Sequence, residues 1–268
     1  GHEGIGRVEA IGSKVKNFTV GDKIVLPFLD DGEKFYSTWG AFAEYAVIGD
    51  AEAMMEDGHT VGDGVLTEGN LGQKKIPEGL DDVEAAMIVT YREVYSTMKR
   101  LGFQKGKSLI LYGAGPVGLV FITLAQYMGL SPIICVDHTE KKLESARKCG
   151  ADYTLNFDQC DVTEEVLKIL PEKADMILDA AGVPALINQN LKLVKNFGDV
   201  CIYGETAKSE YLINWEEAPF CFNLRFAQWP SKAEEAEVHD EIIALIKQGV
   251  LKGSNYISDV FDFKDSVE

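Results

Sequence analysis

The feature that most constrains the fold is a glycine-rich stretch near the middle of the chain, Leu109-Ile110-Leu111-Tyr112-Gly113-Ala114-Gly115-Pro116-Val117-Gly118. Residues 108–112 are short, apolar and bounded by glycine, which predicts a buried parallel strand. Residues 117–128 form an almost unbroken apolar run that ends before Gly129, which predicts a helix packed on a sheet. The spacing Gly-x-Gly-x-x-Gly therefore lies between a predicted strand and a predicted helix.

A turn of this kind can receive a phosphate group. Glycines let the backbone turn tightly, so that a pyrophosphate approaches the unpaired N–H groups and positive dipole of the helix N-terminus. The next predicted strand, residues 132–136, ends at Asp137, 19 residues after Gly118. A carboxylate there binds the adenosine ribose hydroxyls of a dinucleotide and repels a 2′-phosphate. We predict a Rossmann-type site for NAD rather than NADP, the alternative being a βαβ unit that only needs a tight turn.

Strands and helices alternate on both sides of this motif. Helices are predicted at residues 83–100, 140–149, 162–170, 184–196 and 239–248, and strands at 153–155, 175–180, 199–204 and 222–226. This alternation predicts an α/β fold with a doubly wound parallel sheet, whose ligands lie at the carboxyl ends of the strands. Ala181, Gly182 and Gly204 fall at that edge. Residues 256–263 have a β-like pattern.

The N-terminal part has a different character. Residues 1–48 contain short β-rich pieces at 5–11, 22–28 and 41–48, which predict a small irregular β barrel or sandwich. Residues 50–79 are acidic and glycine-rich with little periodicity, which predicts a long surface loop. We place a β-rich catalytic domain at residues 1–88, an NAD-binding domain at 89–229 and a C-terminal segment at 230–268.

Composition limits the partners of the chain. The net charge is −17, and no Lys/Arg cluster is present, which disfavours nucleic acid or an anionic membrane as a partner. The longest apolar run is shorter than the roughly 20 residues that span a bilayer. The five cysteines include no CxxC pair, which predicts reduced thiols in a cytoplasmic protein. Since the chain opens without Met inside a strand pattern and stops as a helix begins, we expect further residues at both ends.

Four spaced motifs connect the two halves of the chain. They are Gly1-His2-Glu3-x-x-Gly6-x-Val8-x-x-x-Gly12-x-x-Val15, Gly21-Asp22-x-Ile24, Gly40-x-Phe42-Ala43-Glu44-Tyr45 and Gly113-Ala114-Gly115-Pro116-Val117-Gly118. With them, the chain resembles the medium-chain dehydrogenase/reductase superfamily, and most of all its zinc-dependent alcohol, sorbitol and threonine dehydrogenase branch. The resemblance implies a GroES-like catalytic domain around a Rossmann domain, with the C-terminal segment returning to the catalytic domain. It also implies a homodimer or homotetramer.

The resemblance further implies an oxidoreductase that transfers hydride between NAD and a small-molecule secondary alcohol or polyol. His2 matches the zinc-binding histidine of the family and Glu3 the acid behind the metal, so both are predicted catalytic residues. One zinc ion held by His2 would polarise the alcohol oxygen. Lys142 matches a family lysine near the ribose. The residues predicted to bind the cofactor are Gly113, Gly115, Pro116, Val117, Gly118, Asp137, Lys142, Ala181, Gly182 and Gly204.

The chain departs from the family pattern at the residues that are expected to bind zinc. The third zinc ligand is expected around Met87, Ile88 or Val89, none of which can bind zinc, and Glu84 and Glu93 are out of register. The four-cysteine lobe of the family is absent, so no structural zinc is expected. Two alternatives follow: a zinc-free enoyl or quinone reductase of the same superfamily, and an inactive protein that senses the NAD/NADH ratio.

Four other polar side chains give weaker signals. His59 in the acidic segment and His239 at the start of a helix are expected on the surface. His138 follows Asp137 and either contacts the adenosine or lies in solvent. Arg92 either faces the cofactor or substrate or is an ordinary charge on the face of the linking helix.

Overall fold

The structure of the chain is a computed structural model that describes residues 1–26, 42–206 and 210–265. It divides into two compact units. Unit 1 contains Gly1–Ser96 and Pro230–Gly253, and unit 2 contains Thr97–Trp229 and Ser254–Glu268. The domain limits at residues 88 and 229 remain a prediction.

Unit 1 contains a three-stranded antiparallel sheet. Its strands are β1 (Gly4–Arg7), β2 (Lys23–Leu26) and β3 (Lys75–Ile76), in the order β1-β2-β3. The side chains of Ile24, Val25 and Ile76 are buried in its core. Residues 42–48, which carried a β-rich pattern, form no strand. Residues 27, 28 and 41 of the predicted pieces lie outside the described ranges.

The acidic segment 50–79 is not one long loop, so that prediction was wrong. It contains the helices α1 (Ala51–Glu56) and α2 (Glu68–Gly72) as well as β3. The carboxylate of Asp50 caps α1 and also accepts hydrogen bonds of 2.9 Å from the backbone and side-chain N–H groups of Asn17. Helices of six and five residues are too short to show an apolar period in the sequence.

Four further helices begin in unit 1. They are α3 (Asp82–Ala86), α4 (Ile88–Leu101), α9 (Lys232–Glu237) and α10 (His239–Lys247), and the chain passes into unit 2 within α4. The single helix predicted over residues 83–100 is in fact α3 and α4, which are separated at Met87. Helix α9 was not predicted, because its six residues carry a Ser231–Glu234 capping box but no apolar stripe.

Unit 2 contains a six-stranded parallel sheet in the order β6-β5-β4-β7-β8-β9. The strands are β4 (Leu109–Tyr112), β5 (Ile133–Asp137), β6 (Tyr153–Asn156), β7 (Ala174–Asp179), β8 (Val194–Ile202) and β9 (Asn223–Phe226). Strand β4 pairs with β5 on one side and with β7 on the other, so the strand order switches direction beside β4. At the amino ends of β4 and β7, the backbone N–H and hydroxyl of Ser108 donate to Asp175. The predicted α/β class and parallel sheet are confirmed.

Helices α5 (Pro116–Tyr127), α6 (Glu140–Cys149), α7 (Val162–Ile169) and α8 (Ala185–Leu193) connect the strands. Ile110 and Ile177 from the sheet pack with Val166 of α7 and Leu191 of α8 in one buried cluster. Helix α6 ends at Gly150, whose φ of +111° is left-handed and suits glycine. The burial of both sheet faces explains why the central strands are almost entirely apolar.

Two predicted boundaries in unit 2 were wrong. Helix α8 was expected to reach residue 196 and to end at Gly198, but β8 already begins at Val194 and runs through this glycine. The β7–β8 register shifts between Ala174 and Met176, and Phe197 has a φ of 65°. The glycine therefore lies in an irregular strand. The β-like residues 256–263 form no strand.

Within the described residues, no helix combines the length and the apolar character that crossing a membrane requires.

Candidate functional site

The glycine-rich loop at the carboxyl end of β4 makes a close backbone approach. Helix α5 begins at Pro116, and its N-cap is Gly115, which has no side chain to cover the first turn. A Cβ on Gly118 would lie 1.9 Å from the carbonyl oxygen of Gly113, so only glycine fits there. Because the first N–H groups of a helix have no partners inside the helix, this N-terminus can receive an anion.

Asp137 ends β5 and is connected to that loop. Its Oδ2 accepts the backbone N–H of Ala114 at 2.9 Å, and its Oδ1 accepts that of Thr139 at 2.9 Å. Burial acts to raise the pKa of Asp137, but these hydrogen bonds and the nearby charge of Lys142 hold it below its usual value. The side chain is therefore a carboxylate at neutral pH, and it can accept hydrogen bonds from two ribose hydroxyls.

A cavity of about 800 Å³ opens beside this acid, which is in the size range of small-molecule sites. The ring of His138 contributes to its wall and lies 5.7 Å from the ring of Phe157. The cavity wall therefore combines a carboxylate, aromatic rings and backbone. Predicted cofactor residues that line the cavity are Gly113, Gly115, Asp137, Lys142 and Ala181.

Sequence reasoning missed Asp179, which holds the neighbouring loops. This fully buried acid ends β7, and Oδ1 accepts the N–H groups of Ala181 at 2.8 Å and Gly182 at 2.9 Å. Its Oδ2 accepts the N–H of Val183 at 3.0 Å, and its carbonyl accepts that of Gly204 at 2.9 Å. Burial raises the pKa of Asp179, although the three N–H groups oppose this. The sequence signal that could have identified Asp179 is an acid at the end of a predicted strand, two residues before Ala181.

The loops that contain Gly182 and Gly204 touch through their backbones. A Cβ on Gly204 would lie 2.1 Å from the backbone nitrogen of Gly182, and one on Gly182 would lie 2.0 Å from the carbonyl oxygen of Glu205. Pro116 and Val117 occupy the first turn of α5. All ten predicted cofactor residues thus lie at or next to the carboxyl edge of one sheet, and their contact with NAD remains a prediction.

In unit 1, the predicted catalytic pair contacts helix α4. The Nε2 of His2 lies 3.3 Å from Oε1 of Glu93, and that same oxygen lies 3.4 Å from Nζ of Lys232. Glu3 accepts a hydrogen bond from the hydroxyl of Thr90. Thr90 and Glu93 are three residues apart, which places them on one face of the helix. Glu93, which the sequence places out of register with the expected third zinc ligand, therefore does contact His2.

The contacts of Lys232 continue into a buried network of charges. Lys232 pairs with Glu235, whose Oε2 lies 3.3 Å from Nη2 of Arg92. Arg92 also donates to the carbonyl oxygen of Gly72 at 2.9 Å. Burial lowers the pKa of Arg92 and raises that of Glu235, while the charges of Lys232 and Arg92 act to lower the latter. Arg92 is fully buried, so the expectation of an ordinary charge on the helix surface was wrong.

The histidines outside this network take different places. His239 is buried rather than on the surface, and its Nε2 lies 3.0 Å from the carbonyl oxygen of Lys75. Burial lowers the pKa of His239 to about 4. His59 is partly exposed and contacts Asp63 at 2.9 Å. His138 is exposed and lines the cavity beside Asp137, so both of its alternatives remain open.

The described residues do not fit a catalytic zinc ion. Among them, no three His, Cys, Asp or Glu side chains are grouped as a metal ion requires. Glu93 lies beside His2, but the ammonium group of Lys232 contacts the same carboxylate oxygen. Ile88 and Val89, near the place expected for the third ligand, are fully buried. No chemical step is therefore assigned to zinc.

The parallel sheet with its switch at β4, the glycine-rich turn and the acid at the end of β5 define a Rossmann-type α/β fold. Two family models agree with this class. A model for zinc-binding dehydrogenases matches residues 116–223, and a model for the alcohol dehydrogenase GroES-like domain matches residues 1–57. The chain is therefore similar to zinc-binding dehydrogenases that carry a GroES-like domain.

Curated relatives carry dehydrogenase names. An alcohol dehydrogenase of Cupriavidus necator is 26% identical over 223 residues, which are 76% of this chain and 61% of the relative. A sorbitol dehydrogenase of Bacillus subtilis is 29% identical over 234 residues, which are 80% of this chain and 61% of the relative. The chain thus spans about three fifths of the length of these relatives.

Solved structures show the same fold. The alcohol dehydrogenase TADH from Thermus sp. ATN1 has a TM-score of 0.75 at 24% identity, covering 96% of this chain and 75% of its own. An alcohol dehydrogenase from E. coli CFT073 in complex with NADH has a TM-score of 0.74 at 20% identity, covering 99% and 77%. A zinc-binding dehydrogenase from Sinorhizobium meliloti 1021 bound to NADP has a TM-score of 0.68 at 20% identity, covering 94% and 73%.

Proposed function

We propose that the protein is an NAD-dependent oxidoreductase that moves hydride between the nicotinamide ring and the carbinol carbon of a secondary alcohol or polyol. The observation that carries the proposal is the Asp137 carboxylate, which is bonded to the glycine-rich loop and borders the 800 Å³ cavity. The family and the names of the alcohol and sorbitol dehydrogenase relatives support the substrate class.

Each part of the dinucleotide has a place at the carboxyl edge of the sheet. The N-terminus of α5 binds the pyrophosphate through its backbone N–H groups and its dipole. Asp137 binds the two hydroxyls of the adenosine ribose. Since these contacts lie at β4 and β5, the nicotinamide half extends across the switch point toward the loops of Gly182 and Gly204, which follow β7 and β8.

The preference for NAD follows from the charge of Asp137. Two like charges 4 Å apart repel each other by about 4 kcal/mol at an effective dielectric constant near 20. A tenfold difference in affinity needs only about 1.4 kcal/mol. A 2′-phosphate in place of the hydroxyl is therefore disfavoured, and Lys142 alone does not reverse this, since it already offsets part of the charge of Asp137.

The reaction balances without a further redox partner. The alcohol carbon loses hydride to the nicotinamide ring and the alcohol oxygen loses a proton, which gives a ketone and NADH. In the zinc-dependent members of the superfamily, bound zinc polarises the alcohol oxygen. The residues at His2 do not fit that ion, so the proposal rests on the cofactor site and the family.

Binding and turnover test the proposal separately. The full-length protein is titrated with NADH and with NADPH, and the nicotinamide fluorescence is recorded. It is then given NAD with a panel of secondary alcohols and polyols, while NADH absorbance is followed and ketones are identified by NMR. We expect tighter binding of NADH and turnover of at least one secondary alcohol.

Two results would contradict the proposal in different ways. Reduction of conjugated enones without oxidation of any alcohol would replace it by the zinc-free reductase. Binding of NADH without turnover of any alcohol or carbonyl compound would replace it by the sensor.

A further inference from the structure

We propose that Lys232 stands where a metal ion would otherwise neutralise the acid beside His2, and that this corner of the protein binds no zinc. The corner consists of His2, Glu93, Lys232, Glu235 and Arg92. The inference rests on the proposed function only in giving His2 a place in the active site.

Glu93 is shared between an imidazole and an ammonium group. Its Oε1 lies 3.3 Å from Nε2 of His2 and 3.4 Å from Nζ of Lys232. Zinc binds a carboxylate oxygen at about 2.0–2.2 Å. An ion on this oxygen would therefore lie within about 5.6 Å of the ammonium nitrogen, given the same bond range. Lys232 and Glu93 are both buried, so solvent screens the repulsion between the two cations poorly.

Lys232 is held in place by contacts at its backbone N–H and at its ammonium group. Its backbone N–H donates to Oε1 of Glu68 at 2.8 Å, and its ammonium group pairs with Glu235 as well as with Glu93. Glu235 in turn contacts Arg92, which donates to the carbonyl oxygen of Gly72. Helices α2, α4 and α9 thus hold the lysine at both ends of its side chain.

The buried charges in this network already cancel. Arg92 and Lys232 contribute two positive charges, and Glu93 and Glu235 contribute two negative charges, with all four side chains buried. Uncompensated charge inside a protein is strongly disfavoured. A divalent cation on Glu93 would leave an excess of two positive charges. Glu3, the other acid next to His2, is engaged by the hydroxyl of Thr90.

Metal content tests the inference without any assay of activity. The full-length protein is produced in zinc-supplemented medium and desalted, and zinc per chain is measured by plasma mass spectrometry. We expect less than about a tenth of an equivalent, because the cation next to Glu93 opposes binding. We also expect a thermal midpoint that neither EDTA nor added zinc changes.

Variants at Lys232 test the cause. Lys232→Met removes the ammonium group, and zinc affinity should rise at least about tenfold in isothermal titration. Because this change leaves Glu235 short of a partner, Lys232→Gln serves as the second variant, since its amide removes the positive charge but can still donate to Glu235. Lys252→Met, at an exposed lysine of unit 1, is the control and should bind zinc no better than the unaltered protein.

Either of two results would overturn the inference. One is a full equivalent of zinc in the unaltered protein that EDTA removes with a lower thermal midpoint. The other is a folded Lys232→Gln variant that binds zinc no better than the unaltered protein. NADH titration of the same samples is independent of both, so a failure of the proposed function would be recognised separately.

Discussion

The backbone N–H of Ala114 donates a hydrogen bond of 2.9 Å to Oδ2 of Asp137, and this bond ties the glycine-rich loop to the end of β5. One carboxylate thus positions the loop that is expected to receive the pyrophosphate and is itself expected to bind the ribose. Substitution of Asp137 is therefore expected to act on two parts of the cofactor at once, and the two effects can be separated by the choice of side chain.

Replacing Asp137 by Asn or Ser should narrow the preference for NADH over NADPH by at least about tenfold, because the negative charge is lost. Asp137→Asn keeps an acceptor for Ala114, so NADH itself should bind better to this variant than to Asp137→Ser. Dissociation constants for both cofactors, measured by fluorescence, give the ratios.

The exposed Asp158 provides a matched control, since Asp158→Ser removes the same charge outside the cavity wall. Its cofactor preference should equal that of the unaltered protein. Equal binding of the two cofactors by the unaltered protein would refute the argument from the ribose acid.

Two glycines of the motif, Gly115 and Gly118, should respond differently to substitution by alanine. Gly118→Ala places a Cβ 1.9 Å from the carbonyl oxygen of Gly113, so we expect a shifted loop, at least about tenfold weaker NADH binding and a lower thermal midpoint. Gly115→Ala meets no atom within 4 Å and should keep the thermal midpoint.

Calorimetry and NADH titration of both variants provide the comparison. A weaker NADH complex of Gly115→Ala with an unchanged midpoint would report a direct approach of the cofactor to this residue. An unaltered midpoint in Gly118→Ala would show that the close approach is absent.

Asp179→Ala should weaken NADH binding more than ADP-ribose binding. The change leaves the N–H groups of Ala181, Gly182 and Val183 without their acceptor, at a cost of about 1–3 kcal/mol for an unsatisfied group. Their loop is expected to hold the nicotinamide half, whereas ADP-ribose lacks the nicotinamide ring. Isothermal titration with the two ligands measures the difference.

Asp179→Asn keeps one acceptor oxygen and should recover part of the NADH affinity. An equal loss of affinity for NADH and ADP-ribose in Asp179→Ala would mean that the acid supports the whole sheet edge rather than one half of the cofactor.

Acid should destabilise unit 1 through His239. Burial lowers the pKa of His239 to about 4 in the folded protein, so the ring stays neutral there while the unfolded chain binds a proton below about pH 6.5. Its contribution to stability is therefore complete above about pH 6.5 and is lost as the pH falls toward 4. At about pH 4.5 the loss is about 2.5 kcal/mol.

His239→Gln removes this titration and keeps a side-chain donor for the carbonyl oxygen of Lys75. Urea unfolding at neutral and acid pH should show a smaller drop in the free energy of unfolding for this variant. His59→Gln, at a partly exposed histidine, should show the full drop. An identical drop in His239→Gln and in the unaltered protein would contradict the buried neutral ring.

The parallel core could be predicted because its signals are local. A strand was expected over residues 108–112 and is observed at Leu109–Tyr112, and the helix predicted at residues 140–149 is observed with the same limits. Glycine turns and apolar runs act over a few residues, and they are read directly from the sequence. Gly198 shows the limit of this approach, because a glycine inside an irregular strand looks like a helix stop.

The site could be predicted only where the spacing is fixed. Asp137 was found because its distance from Gly118 along the chain is a property of the βαβ unit. The contact between Glu93 and Lys232 joins residues 139 positions apart, and no local sequence pattern predicts it. The same holds for the burial of Arg92, whose partner Glu235 lies on α9, a helix too short to be recognised beforehand.

The pairing of β4 with β7 also sets the stage of folding at which the predicted cofactor site can form. Ser108 and Asp175 are separated by 67 positions, so during synthesis the glycine-rich turn leaves the ribosome well before the second neighbour of its strand. The loop that carries Ala181 and Gly182 comes later still. On the proposed function, we therefore expect an NADH complex to appear only when the central sheet is complete, so that nicotinamide fluorescence would follow folding as well as measure affinity.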